Sequence, residues 1–141
     1  MGPQGLGHSV SVDRTLDDAD AGAGEYDAIV LPGGQINPDL LRVDRRALNL
    51  IRALHERKKV VAAVCHGPWV LCSTQALKGR KLTCFFAIKD DVINAGGKYV
   101  DQEVVRDGNL ITSRKPDDLP AFMQAVIQAV REVKPTMAGA R

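Results

Sequence analysis

A cysteine and a histidine stand side by side in Val60-Val61-Ala62-Ala63-Val64-Cys65-His66-Gly67-Pro68-Trp69. The five residues before them are small or β-branched and apolar, the composition of a strand buried on both faces of a parallel sheet. Gly67 permits a tight turn, and Pro68 suits the first turn of a helix, where its missing N–H costs nothing. The run predicts a strand, a sharp turn and a helix over Trp69 to Leu77, with a thiol at the turn. That is the geometry of a nucleophile elbow. Helix amides and the helix dipole favour an anion at this point, so Cys65 is expected to ionise more easily than a free thiol. His66 can pair with the thiolate, and its own N–H can donate to a developing oxyanion. The competing reading makes Cys65 a small core residue, because free cysteine is among the most buried types.

Other residues with chemical potential read differently. Pro32-Gly33-Gly34 follows an apolar run, and its glycines allow backbone to approach a ligand closely. Asp17, Asp18 and Asp20 lack the Gly and closing Glu of an EF-hand loop and read as a solvated acidic connection. His55 sits among charges and reads as a surface residue rather than a ligand. Cys72 and Cys84 have no His or acid beside them and read as core or half-buried spectators.

The elements that must position the elbow alternate along the chain. His8-Ser9-Val10-Ser11-Val12 has strand alternation, after an irregular Met1 to Gly7. Asp13 to Glu25 reads as a surface connection. Tyr26 to Leu31 is a strand. Asn37 and Pro38 mark a helix start, and Asp44 is a second N-cap. Beyond it Leu48, Ile51 and Leu54 repeat at helical spacing. Leu82 to Phe86 is a strand candidate, and Ile88 to Ala95 a short helix closed by Gly96-Gly97. Tyr99-Val100 and Glu103-Val104-Val105 read as strand, and an Asp107-Gly108-Asn109 turn leads back into Leu110 to Ser113, giving an antiparallel hairpin. Pro116-Asp117-Asp118 opens a last helix with Leu119, Phe122, Val126, Ile127 and Val130 as its apolar stripe. Lys134 to Arg141 reads as a frayed tail. This order predicts an α/β sandwich with a mostly parallel sheet, in which ligands bind at the carboxyl ends of strands.

At 141 residues the chain is expected to form one domain, 1–141, with a real core. The net charge of +2 comes from interspersed charges, which points away from nucleic acid. No apolar run reaches membrane-spanning length and no signal-peptide core opens the chain. Three cysteines without metal-type CxxC spacing fit a reducing cytoplasm.

Several blocks together carry a resemblance. Tyr26 to Gly34, Ala63 to Trp69, Ile88-Lys89-Asp90-Asp91, Asn94-Ala95-Gly96-Gly97 and Asp107 to Arg114 resemble, in the same order, the PfpI family. This is the intracellular cysteine peptidase and general stress protein branch of the class I glutamine amidotransferase-like superfamily. The resemblance runs from about His8 to Val133. It implies a flavodoxin-like three-layer fold, Cys65 as nucleophile and His66 as its partner. The backbone N–H groups of Gly34 and His66 would form the oxyanion hole. Asp39 stands where the family carries a third, acidic triad member given by a neighbouring subunit, which implies a homo-oligomer with a shared site. Expected substrates are small carbonyl compounds or peptides, through peptidase-like hydrolysis or removal of methylglyoxal and its adducts, with no metal or organic cofactor. Relatives carry a strand, a helix and a strand before the segment matching His8, a unit of roughly 30 to 45 residues. That unit bears a Glu toward the thiol, and Glu25 is a poor match for it, so the chain reads as N-terminally shortened relative to the family. Three readings stay open: an enzyme, a stress protein whose Cys65 oxidises reversibly, and an inactive fragment.

Overall fold

Val60–Val64 forms strand β2, and all five residues are buried. Alternation along a strand sends successive side chains to opposite faces. Val61 and Ala63 enter one apolar cluster with Ile51, Val70, Leu71, Leu82 and Leu110. Val60, Ala62 and Val64 enter a second with Ile111, Phe122, Val126 and Ala129. A strand that serves two cores needs helices on both sides, which is why it carries no polar residue. The structure is a computed structural model that describes residues 7–18 and 22–139, with side chains of the last helix described to Val133. The expectation for Asp20 and for residues 1–6 therefore lies outside the described residues.

β2 is flanked by parallel partners on both edges. β1, Ala28–Leu31, pairs with it from Ala28↔Val60 to Leu31↔Ala63. β6, Leu110–Ser113, pairs from Val61↔Leu110 to Val64↔Ser113. β5, Val104–Asp107, runs antiparallel to β6, so the sheet order is β1-β2-β6-β5. The expected hairpin is present, with Gly108 at φ 61° in its turn. A second, two-stranded parallel sheet joins β3, Lys81–Leu82, to β4, Lys98–Tyr99. The result is a mixed α/β architecture with a mostly parallel main sheet.

Helix α1 spans Ile36–Leu41 and α2 spans Arg45–Glu56. The Asp44 carboxylate caps α2 by accepting from the Arg46 and Ala47 amides at 2.9 and 3.3 Å, and Ala47, Ile51 and Leu54 turn inward. α1 starts before Asn37, with Gln35 as its N-cap. The Asn37 amide instead donates to the Pro32 carbonyl at 3.3 Å, tying the helix to the end of β1. α3, Pro68–Cys72, follows the elbow, and α4, Lys89–Asn94, ends before Gly96 at φ 97°. α5, Leu119–Gly139, enters through a 3-10 turn at Pro116–Asp118 and packs Phe122 and Val126 on β2 and β6. Its backbone stays helical through 134–139, where the sequence read as a tail.

Four expectations need correction. α3 stops at Cys72 rather than Leu77, because the Thr74 hydroxyl donates to the Leu71 carbonyl at 2.8 Å and accepts from the Ala76 amide at 3.1 Å. A side chain that takes up backbone groups in this way replaces the next helical turn. Leu82 to Phe86 pairs as a strand only at Leu82. The Thr83 amide donates to the Thr112 side chain at 2.9 Å and the Phe85 amide to the Cys65 carbonyl at 2.8 Å, so no ladder is left to extend. His8 to Val12 is not a strand; Val10 and Val12 are exposed, and β1 makes its ladder with β2. His55 is half-buried rather than superficial, and accepts at Nδ1 from the Asn109 amide at 3.2 Å. That Asn109 group also donates to the Lys59 carbonyl at 2.8 Å, stitching the end of α2 to the hairpin. Burial, with Arg80 and Lys58 nearby, holds His55 below its ordinary pKa.

The described residues of the acidic connection lie at the surface apart from the buried Ala23. Arg14 pairs with Glu25, and Arg46 pairs with Asp17, so these carboxylates serve ion pairs. Among the described residues no helix is long and apolar enough to cross a membrane.

Candidate active site

β1 and β2 run parallel and end side by side, so the turns that leave the two strands meet at one edge of the sheet. Beyond β1 comes Pro32-Gly33-Gly34; beyond β2 comes Cys65. A Cβ placed on Gly33 would lie 2.8 Å from the Cys65 Cβ and 3.3 Å from Sγ. Only glycine leaves the thiol room. Gly34 adopts φ 80°, a left-handed conformation that glycine enters without steric cost.

Cys65 itself has φ 63°. A non-glycine residue held there stores on the order of 1–3 kcal/mol and persists only when its surroundings over-determine it. They do. Its amide donates to the Ser113 carbonyl at 3.0 Å, its carbonyl accepts from the Phe85 amide at 2.8 Å, and the Gly67 amide closes the turn onto Val64 at 2.8 Å. β6 and the segment after β3 thus grip the elbow from both chain directions. The half-buried Sγ lies 3.4 Å from His66 Nδ1, within reach of a sulfur hydrogen bond. His66 is 7% exposed. Burial lowers its pKa, which keeps the ring neutral and able to accept a proton near neutrality.

The other two thiols differ in kind. Burial pushes Cys72 up to about 11 and Cys84 up to about 12. Both join the cluster on the α2–α4 side of the sheet, whereas Cys65 packs on the α5 side. They are the core and half-buried spectators that the sequence suggested.

The structure brings Cys65, His66 and the Gly33-Gly34 turn together. Asp39 lies on α1, is exposed, and makes no hydrogen bond to the His66 of its own chain. Among the described residues, neither the Gly34 nor the His66 amide donates to an acceptor within the chain, so both are available to a ligand. α3 is a single short helix of five residues, which makes the imidazole, more than a long helix dipole, the nearest partner of the thiol. Sequence reading missed one participant, Phe85, which was hidden inside an apparent strand.

The chain matches the DJ-1/PfpI family over residues 3–129. It belongs to that family. Deglycase PfpI of Pyrococcus furiosus is 44% identical over 125 residues, covering 89% of this chain and 74% of the relative. Putative cysteine protease YraA of Bacillus subtilis is 48% identical over 116 residues, covering 82% and 67%. The crystal structure of a ThiJ/PfpI domain protein from Brachyspira murdochii aligns with a TM-score of 0.82 at 26% identity, covering 91% of this chain and 72% of that one. The flavodoxin-like expectation and the family resemblance both hold.

Proposed function

We propose that the protein is a cysteine-dependent enzyme of the deglycase or peptidase type, acting in stress response on methylglyoxal, its adducts or peptide carbonyls. The observation that carries this reading is the strained, half-buried Cys65 with its Sγ 3.4 Å from His66 Nδ1 at the carboxyl edge of the sheet. The names of two relatives, a deglycase and a putative cysteine protease, support it.

In this mechanism His66 takes the thiol proton and the Cys65 sulfur adds to the substrate carbonyl carbon. The carbonyl electrons move to oxygen, where the amides of Gly34 and His66 receive the charge. With a peptide, His66 then returns the proton to the leaving amine and water hydrolyses the thioester. With methylglyoxal it protonates the alkoxide to a hemithioacetal. The C1 proton of that adduct is moved to C2 to give a lactoyl thioester, which water hydrolyses to lactate, freeing the thiol. Asp39 enters from a second copy of the chain. Ile36 and Leu40 on the same helix and Val43 in the turn just after it are 70%, 63% and 79% exposed, an apolar surface suited to a subunit contact. Across that contact Asp39 would hydrogen-bond the neighbour's His66 and fix its tautomer, as the third member of a triad does.

Complementation between two inactive variants tests both the chemistry and the shared site. Wild type should consume methylglyoxal or cleave a reporter peptide, and Cys65→Ala and Asp39→Asn alone should do so poorly. Mixed after reversible dissociation, they should recover about a quarter of wild-type activity for random pairing into symmetric dimers. Proven hybrids without recovery would place Asp39 outside the site. A wild type that turns over neither substrate, while Cys65 oxidises stoichiometrically with peroxide, would favour the redox reading.

A further inference from the structure

The His66 imidazole has one hydrogen-bonded partner among the described residues, the sulfur of Cys65. Among those residues no carboxylate or carbonyl orients the ring from the other nitrogen. Two aromatic rings touch it instead. Phe85 stacks on it at 4.9 Å between centroids with 25° between planes, and Trp69 meets it at 5.8 Å and 60°. Each is anchored independently. The Phe85 amide donates to the Cys65 carbonyl at 2.8 Å, so one residue braces the backbone of the nucleophile and the ring of its partner. Trp69 Nε1 donates to Asp91 Oδ2 at 2.7 Å, and the Arg42 guanidinium lies 4.9 Å over its ring.

We propose that Phe85 is a positioning residue for the reaction, holding the His66 imidazole by stacking so that Nδ1 faces the Cys65 sulfur, with the Asp91-anchored Trp69 as the second jaw. The inference rests on the reading of Cys65 and His66 as the reacting pair. Stacking suits this task because a planar contact restricts tilt of the ring while leaving both nitrogens free for protons. A misaligned base forfeits much of the advantage of proximity. Phe85 also borders a cavity of about 320 Å³, so a smaller side chain there would leave His66 an open flank rather than a collapsed one. The same ring keeps water from the imidazole. Its removal should therefore return the His66 pKa toward the ordinary value of 6.5, upward from the depressed value that burial imposes.

The test compares Phe85→Leu with Phe85→Tyr, which keeps the ring. Phe85→Leu should lower kcat by about tenfold or more with KM little changed. His66, followed by NMR of its ring protons, should titrate at higher pH, and Phe85→Tyr should restore both. Asp91→Asn, at an exposed position, should move the same titration by a smaller amount. If Phe85→Leu does not fold, Phe85→Met is measured the same way. The titration is independent of turnover. A wild type without activity whose His66 titration shifts only in the leucine variant would sink the enzymatic reading and keep the clamp. Unchanged kcat and unchanged titration in a folded Phe85→Leu would overturn the clamp.

Discussion

Replacing Cys65 by serine is expected to abolish turnover while leaving the fold intact. The two side chains differ by one atom, and the backbone constraints on residue 65 come from Ser113 and Phe85, not from the sulfur. Stability should therefore move little. Chemistry should not survive, because a serine hydroxyl is far less acidic than a thiol and a neutral imidazole is a weak base for it. The expected loss is at least about a thousandfold in kcat/KM, or about 4 kcal/mol of transition-state stabilisation. The measurement is consumption of methylglyoxal alongside far-ultraviolet circular dichroism. A serine variant that retains a tenth of wild-type activity would remove Cys65 from the mechanism.

The largest structural effect is expected at Gly67. A Cβ there would lie 2.5 Å from the Leu31 carbonyl oxygen and 2.9 Å from that of Val64. Both are main-chain atoms of the paired strands β1 and β2, so neither can rotate away as a flexible side chain would. Gly67→Ala must push the start of α3 off the sheet edge, and the elbow with it. Overpacking of this kind costs about 3 kcal/mol, which lowers Tm by roughly 10 °C in a domain of this size. Gly34→Ala is the contrast. Nothing lies within 4 Å of its added Cβ, and only the left-handed φ of 80° is strained. That substitution should cost about 1–2 kcal/mol. Equal melting temperatures for Gly67→Ala and wild type would show that the elbow is looser than these distances require.

The contrast between those two glycines also shows what the sequence makes legible. Val60 to Val64 announces a strand buried on both faces, and Gly67-Pro68 announces the turn, because each depends on local sterics and composition. The hairpin at Gly108 and the cap at Asp44 are legible for the same reason. The rest depends on long-range partners. Nothing local in Leu82 to Phe86 reveals that the amides of Thr83 and Phe85 are taken by Thr112 and Cys65. The strand pattern is real, but of the donors that would extend the ladder one serves β6 and the other the elbow. α3 ends early because Thr74 turns its hydroxyl back onto Leu71, a choice that helix propensity does not encode. His55 looks like a surface residue by its neighbours and is half-buried because Asn109 arrives from a hairpin 54 positions away. Within the site, Cys65 and His66 were readable as adjacent residues at a strand end. The aromatic surroundings of His66 were not, since Phe85 comes from another element.

Everything proposed for the site depends on Cys65, paired with His66, being the reactive thiol of the chain. Alkylation of the native protein by iodoacetamide at about pH 6, where ordinary thiols are almost wholly protonated, reads this without any assumption about substrate. Peptide mass spectrometry then ranks the three cysteines. Cys72 and Cys84, pushed up to about 11 and about 12 by burial, should stay unmodified while Cys65 reacts first. The His66→Ala variant should slow Cys65 alone. Equal labelling of the three, or labelling of Cys72 or Cys84 ahead of Cys65, would contradict that assignment.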